Sequence, residues 1–146
     1  MKKTLPPVEI LLVEDNPVDV EIARRALEKG QVKNPLTVAR DGQEALDILS
    51  RRGDGDAPLP GLILLDLNLP KVSGLEVLEK IKVDPKLRRI PVIALTVSAR
   101  EEDIVRSYDL GVNTFVSKPV EFEEFIKVVT TITEYWLVIA KLPPGG

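Results

Sequence analysis

Four apolar runs along this chain each stop at a polar residue: Ile10 to Val13 before Glu14 and Asp15, Leu62 to Leu65 before Asp66, Val92 to Leu95 before Thr96, and Phe115 and Val116 before Ser117, Lys118 and Pro119. The first three are unbroken stretches of Ile, Leu, Val and Ala, the pattern of strands covered on both faces by helices. Between the runs, apolar residues recur at three- and four-residue spacing, the period of a helix that buries one face. The pattern predicts strands at about 8–13, 35–40, 61–66, 91–96 and 113–117, and helices at about 17–29, 42–52, 74–83, 99–110 and 121–139. Asn16 before Pro17 suits a cap and first turn, and Asp41 with Glu44, Ser73 with Glu76 and Ser98 with Glu101 have capping-box spacing. Gly111 suits a helix stop.

Five alternating strand and helix units with right-handed crossovers make an α/β fold, a doubly wound parallel sheet. It occupies about residues 8–140 as one domain, with 1–7 and 141–146 as flexible termini. The stretch from Arg51 to Gly61 is long for a helix-to-strand connection, and its Asp54-Gly55-Asp56 lacks the later glutamate of a calcium loop, so it reads as a solvated turn.

Composition narrows the function. The chain has 146 residues, 44% of them hydrophobic, enough for one proper core. A net charge of -3 lacks the basic face that nucleic acid requires. There is no cysteine and no histidine, which removes disulfides, thiolate nucleophiles, the Ser-His-Asp triad and imidazole metal sites. Any histidine chemistry must therefore arrive on another molecule. Met1-Lys2-Lys3 is followed by Pro6, Pro7 and Glu9, which interrupt a signal segment, and no run approaches a membrane span. The expected location is the cytoplasm.

In a parallel sheet the strands' carboxyl ends share one edge, so Glu14, Asp15, Asp66, Thr96 and Lys118 converge. Two carboxylates about 4 Å apart repel by roughly 4 kcal/mol at an effective dielectric near 20, and such a cluster calls for a cation. Mg²⁺ prefers oxygen ligands, commonly one or two carboxylates beside a phosphoryl group. Asp66 can then act as a nucleophile toward phosphorus, with Lys118 and Thr96 reaching the phosphoryl oxygens. Taken singly, each of these residues has a plainer explanation: a first-turn acid, a strand-end turn, a solvated lysine. Their shared position at the ends of successive strands favours the site.

On these residues the chain resembles the receiver domains of two-component response regulators. The resemblance implies a five-stranded flavodoxin-like sheet in the order 2-1-3-4-5. It implies that Glu14 and Asp15 form the acidic Mg²⁺ site with Asp66, the phosphoacceptor, and with the backbone carbonyl of Asn68. Thr96 is then the switch hydroxyl, Phe115 the switch aromatic and Lys118 the phosphoryl-pairing lysine, with Pro119 after a cis peptide and Pro70 and Gly74 in the loop that follows the acceptor. It further implies a sensor histidine kinase as donor and a switched surface on helix 4, strand 5 and helix 5. The protein would not be an enzyme beyond its own phosphorylation and dephosphorylation. The long tail and the long loop after helix 2 resemble the short regulators that work with phytochrome-type kinases. Val97 stands where a small residue is usual, which predicts slow dephosphorylation.

Two other classes compete. A haloacid-dehalogenase-like phosphohydrolase also uses an aspartate, a threonine and a lysine after parallel strands, but Asn68 stands where its general acid would be. A flavodoxin-like mononucleotide binder needs a loop rich in Ser, Thr and Gly after strand 1, where this chain has Glu14-Asp15-Asn16.

Phe122, Phe125, Val129, Ile132 and Trp136 form an apolar stripe extended by Leu137, Val138 and Ile139. The segment from Tyr135 to Ile139 runs past what one small core needs, so a homodimer through the last helix is expected, with Phe122, Tyr135, Trp136, Leu137 and Ile139 at the interface.

Overall fold

The computed structural model describes residues 8–29, 34–55, 57–97, 100–119 and 121–136. Five strands, β1 (Ile10–Val13), β2 (Leu36–Ala39), β3 (Leu62–Leu65), β4 (Val92–Thr96) and β5 (Thr114–Ser117), alternate with five helices. These are α1 (Pro17–Lys29), α2 (Gly42–Gly53), α3 (Gly74–Val83), α4 (Glu101–Asp109) and α5 (Phe122–Glu134). The strands are parallel and lie in the order β2-β1-β3-β4-β5, as expected.

Neighbouring side chains of a strand point to opposite faces, so each central strand feeds two cores. Leu11, Val13, Ile63, Leu65, Val92 and Ala94 pack with Ala45, Ile48 and Leu49 of α2 and Val77, Leu78 and Ile81 of α3. Ile10, Leu12, Leu62, Leu64, Ile93 and Leu95 pack with Val20, Ala23, Ala26 and Leu27 of α1 and Phe125, Val129 and Ile132 of α5. The central strands β1, β3 and β4 are buried throughout, whereas edge strands β2 and β5 are half-buried. That difference accounts for the weaker apolar pattern of the edges in the sequence.

The helix starts use the predicted caps in three cases. Asn16 Oδ1 accepts from the backbone of Val18 at 2.9 Å, Asp41 Oδ1 from Glu44 at 2.7 Å, and Ser73 Oγ from Glu76 at 3.3 Å. The fourth differs. Ser98 lies outside the described residues, and α4 begins only at Glu101, preceded by Arg100 with no side-chain cap. Its only buried residue is Ser107, so α4 is the most lightly anchored helix among those described. The expected stop at Gly111 holds, with φ at +102°, a conformation that suits glycine. α5 is described only to Trp136, so Leu137, Val138, Ile139 and the termini at 1–7 and 141–146 lie outside the described residues. No described helix is long and apolar enough to cross a membrane.

Candidate functional site

Backbone hydrogen bonds carry the sheet's register one residue past the strands and thereby place the polar residues. Glu14 N–H donates to Ala39 O at 2.9 Å, Asp66 N–H to Val13 O at 3.0 Å, and Lys118 N–H to Thr96 O at 2.7 Å. Glu14, Asp66, Thr96 and Lys118 are all buried at this edge. A buried charge has to be paired, and these are paired with one another.

The ammonium of Lys118 is the hub. Nζ donates to Glu14 Oε1, to Asp19 Oδ2 at 2.8 Å and to Asp66 Oδ2 at 3.2 Å. It also lies 5.8 Å from the centre of the Phe125 ring, which supplies a cation–π contact from α5. Asp66 Oδ1 accepts the Asn68 backbone N–H at 3.0 Å, and Asn68 Nδ2 donates to Thr96 Oγ1 at 3.3 Å. The acceptor, the loop after it and the end of β4 thus form one connected network. Gly74 lets that loop fold back, because a Cβ there would come within 2.5 Å of Asp66 O and 2.4 Å of Leu67 Cα.

The site holds more negative charge than Lys118 can offset. Carboxylate oxygens of Glu14, Asp15 and Asp66 all lie within 4.8 Å of one another, and Asp19 adds a fourth acid against the ammonium at 2.8 Å. Burial pushes the Glu14 carboxyl up to about 7, and the charge of Asp66 adds to this against the opposing pull of Lys118. For Lys118, burial lowers the pKa, but hydrogen bonds to Asp19 and Glu14 and the charge of Asp66 outweigh it, so the ammonium stays charged. A carboxyl that retains its proton near neutrality beside two further acids is a place where a divalent cation can replace the proton. The donors are all oxygen and include an exposed carboxylate, Asp15, through which an ion can enter. The residues present therefore fit a hard, hydrated divalent cation such as Mg²⁺.

Glu14, Asp15, Asp66, Asn68, Thr96 and Lys118 are brought together as the sequence suggested. Phe115 is half-buried against the α2 and α3 side of the core, and its backbone N–H donates to Tyr108 Oη of α4 at 3.2 Å. One expectation is corrected. The described residues contain no cis peptide bond, so the bond before Pro119 is trans, the form an X–Pro bond favours by about 0.5–1 kcal/mol where no tight turn demands otherwise. In the apolar stripe of α5, Phe125, Val129 and Ile132 are core and Trp136 packs partly against it, while Phe122 and Tyr135 are 41% and 52% exposed.

Asp19 was not foreseen. It reads as an ordinary first-turn acid of α1, and only the landing of that turn beside the end of β5 reveals its role. The signal that was present is its spacing, four residues after Asp15, which brings a first-turn side chain back toward the preceding strand end.

Residues 10–130 match the family described as response regulator receiver domain. The chain is 42% identical to response regulator Rcp1 of Synechocystis sp. over 139 residues, which cover 94% of this chain and 95% of that protein. Among solved structures, the phosphorylated cyanobacterial phytochrome response regulator RcpA superposes with a TM-score of 0.89 at 45% identity, covering 94% of this chain and 99% of that one. The Mn(2+)-bound form of Rcp1 superposes with a TM-score of 0.88 at 42% identity and the same coverage. These relatives and structures are response regulators, which favours that reading over a phosphohydrolase or a mononucleotide binder.

Proposed function

This chain belongs to the response regulator receiver family, and from that premise we propose that Asp66 takes a phosphoryl group from the histidine of a sensor kinase and that Lys118 and Thr96 read its arrival. The observation that carries this reading is the buried ammonium of Lys118 on Asp66 Oδ2 within an otherwise acidic pocket. A carboxylate oxygen of Asp66 attacks phosphorus as the P–N bond of the phosphohistidine breaks, and the imidazole nitrogen leaves with the bonding electron pair. Glu14, Asp15 and Asp66, with the backbone carbonyl of Asn68, would hold Mg²⁺, which when bound neutralises charge on the phosphoryl oxygens. Lys118 donates to one of those oxygens and Thr96 to another.

Both readers are engaged beforehand: Thr96 has its O–H free to donate, whereas Lys118 must release one of its present partners. Thr96 Oγ1 now accepts from Asn68, and Lys118 is shared among three carboxylates. Their movement pulls on the ends of β4 and β5, beside Phe115 and the lightly anchored α4. This is the two-state element that phosphorylation biases, and α4, β5 and α5 form the face it alters. The exposure of Phe122 and Tyr135 supports a homodimer through α5. The similarity to RcpA supports a phytochrome-type kinase as donor, and the setting is cytoplasmic.

Incubation with acetyl phosphate and Mg²⁺ tests the acceptor directly. The parent gains one phosphoryl mass and Asp66→Asn gains none; label on the Asn variant would refute the assignment. Light scattering with and without beryllofluoride tests the dimer, and a monomeric mass at micromolar concentration in both states would remove it.

A further inference from the structure

Lys118 has more partners than its proposed task explains. Its Nζ donates to Glu14 Oε1, to Asp19 Oδ2 at 2.8 Å and to Asp66 Oδ2 at 3.2 Å, so the ammonium sits nearer to Asp19 of α1 than to the acceptor. Glu14 and Asp66 belong to the acid triad that fits a divalent cation, and Asp19 does not. Were Glu14, Asp15 and Asp66 to hold a cation, the carboxylates of Glu14 and Asp66 would hold the ammonium less strongly. Asp19 then remains as the carboxylate partner of Lys118 outside the triad. The capped first turn holds it in place, with Asn16 Oδ1 accepting from both Val18 and Asp19 backbone N–H groups. Its side chain is only 18% exposed, which shields the pair from water and salt.

We propose that Asp19 is a positioning residue that holds the Lys118 ammonium on the α1 side of the pocket, so that a phosphoryl group on Asp66 must compete with it. This rests on the receiver reading above and adds a residue to it. Glu14 gives up the lysine when a cation binds, whereas Asp19 keeps its claim in the cation-loaded state. The carboxylate thereby sets how strongly Lys118 reports phosphorylation, and for how long.

The test is binding of beryllofluoride at saturating Mg²⁺, followed by titration calorimetry on the full chain. Asp19→Asn, nearly isosteric, is expected to tighten binding about three- to tenfold, because Lys118 loses its competing partner. Asp19→Glu keeps the charge and is expected to stay near the parent. In a Lys118→Met background, Asp19→Asn is expected to give no gain, since the effect runs through the lysine. A role in folding alone would loosen binding, so looser or unchanged binding in Asp19→Asn overturns the proposal, as does a gain that persists without Lys118. Should Asp19→Asn unfold, Asp19→Ser reads the same sign. A parent that binds no beryllofluoride with Mg²⁺ would instead remove the receiver reading itself, and the two failures are separable.

Discussion

Lys118, buried at the carboxyl end of the sheet, and Lys82, half-buried at the amino end, meet opposite chemistry. Lys118 donates to three carboxylates. Lys82 donates to the carbonyls of Arg88 at 3.1 Å and Ile90 at 2.9 Å and to Asn113 Oδ1 at 3.2 Å, and Asn113 Oδ1 also accepts the Val92 N–H at 2.8 Å. Burial lowers the Lys82 pKa with no carboxylate to oppose it, whereas the acids around Lys118 overcome burial. Neutral acceptors are satisfied by one ammonium, so the amino end is a closed structural tie between α3, β4 and β5. Carboxylates in excess leave charge unmet, so the carboxyl end fits a divalent cation and, on the function proposed above, a phosphoryl group. The difference between a tie and a site lies in the partners rather than in the lysine.

The sharpest way to break this contrast is to remove each lysine. Lys118→Met is expected to cost about 100-fold in beryllofluoride affinity at saturating Mg²⁺. Lys82→Met is expected to leave that affinity unchanged and to lower stability by about 1–3 kcal/mol in urea, because its acceptors lose their donor. Equal losses of affinity in both variants would end the distinction.

A smaller effect sharpens the carboxyl end by pH. Glu14 titrates near 7 in the folded protein against an ordinary value of 4.5. A pKa raised by folding gives stability that is complete below about 4.5 and is lost as pH rises through about 7. The Mg²⁺-free protein is therefore expected to lose up to about 3 kcal/mol between pH 5 and 8 relative to Glu14→Gln. Added Mg²⁺ should abolish that difference by taking the proton's place. Urea unfolding across the range measures both.

The smallest effect lies at the rim. Val97 is 61% exposed and follows Thr96 directly, and its apolar side chain is expected to hinder approach of water to the acceptor. Val97→Ala is expected to hasten loss of phosphate about threefold, followed by mass spectrometry after acetyl phosphate is removed. No acceleration would assign slow hydrolysis to another residue.

Much of this protein was readable before any coordinates. Strands β1, β3 and β4 announce themselves as unbroken apolar runs because both of their faces are buried, and the starts of α1, α2 and α3 because Asn16, Asp41 and Ser73 are real caps. The start of α4 is less legible: it begins at Glu101, two residues past the expected 99, and Ser98 lies outside the described residues. Along the α5 stripe, periodicity assigns Phe122, Phe125, Val129 and Ile132 to one face without saying how far the sheet beneath it extends, and only the structure separates the core residues Phe125, Val129 and Ile132 from the exposed Phe122.

By itself, the sequence determined the sheet, its layers and the gathering of acids at one edge, because alternation and strand ends are local properties that a parallel sheet converts into position. Only the tertiary structure decided that Asp19, 99 residues away from Lys118 in sequence, shares its ammonium, and that Lys82 ties neutral acceptors. Such pairings depend on where a helix turn comes to rest against a distant strand, and spacing along the chain carries no record of that distance.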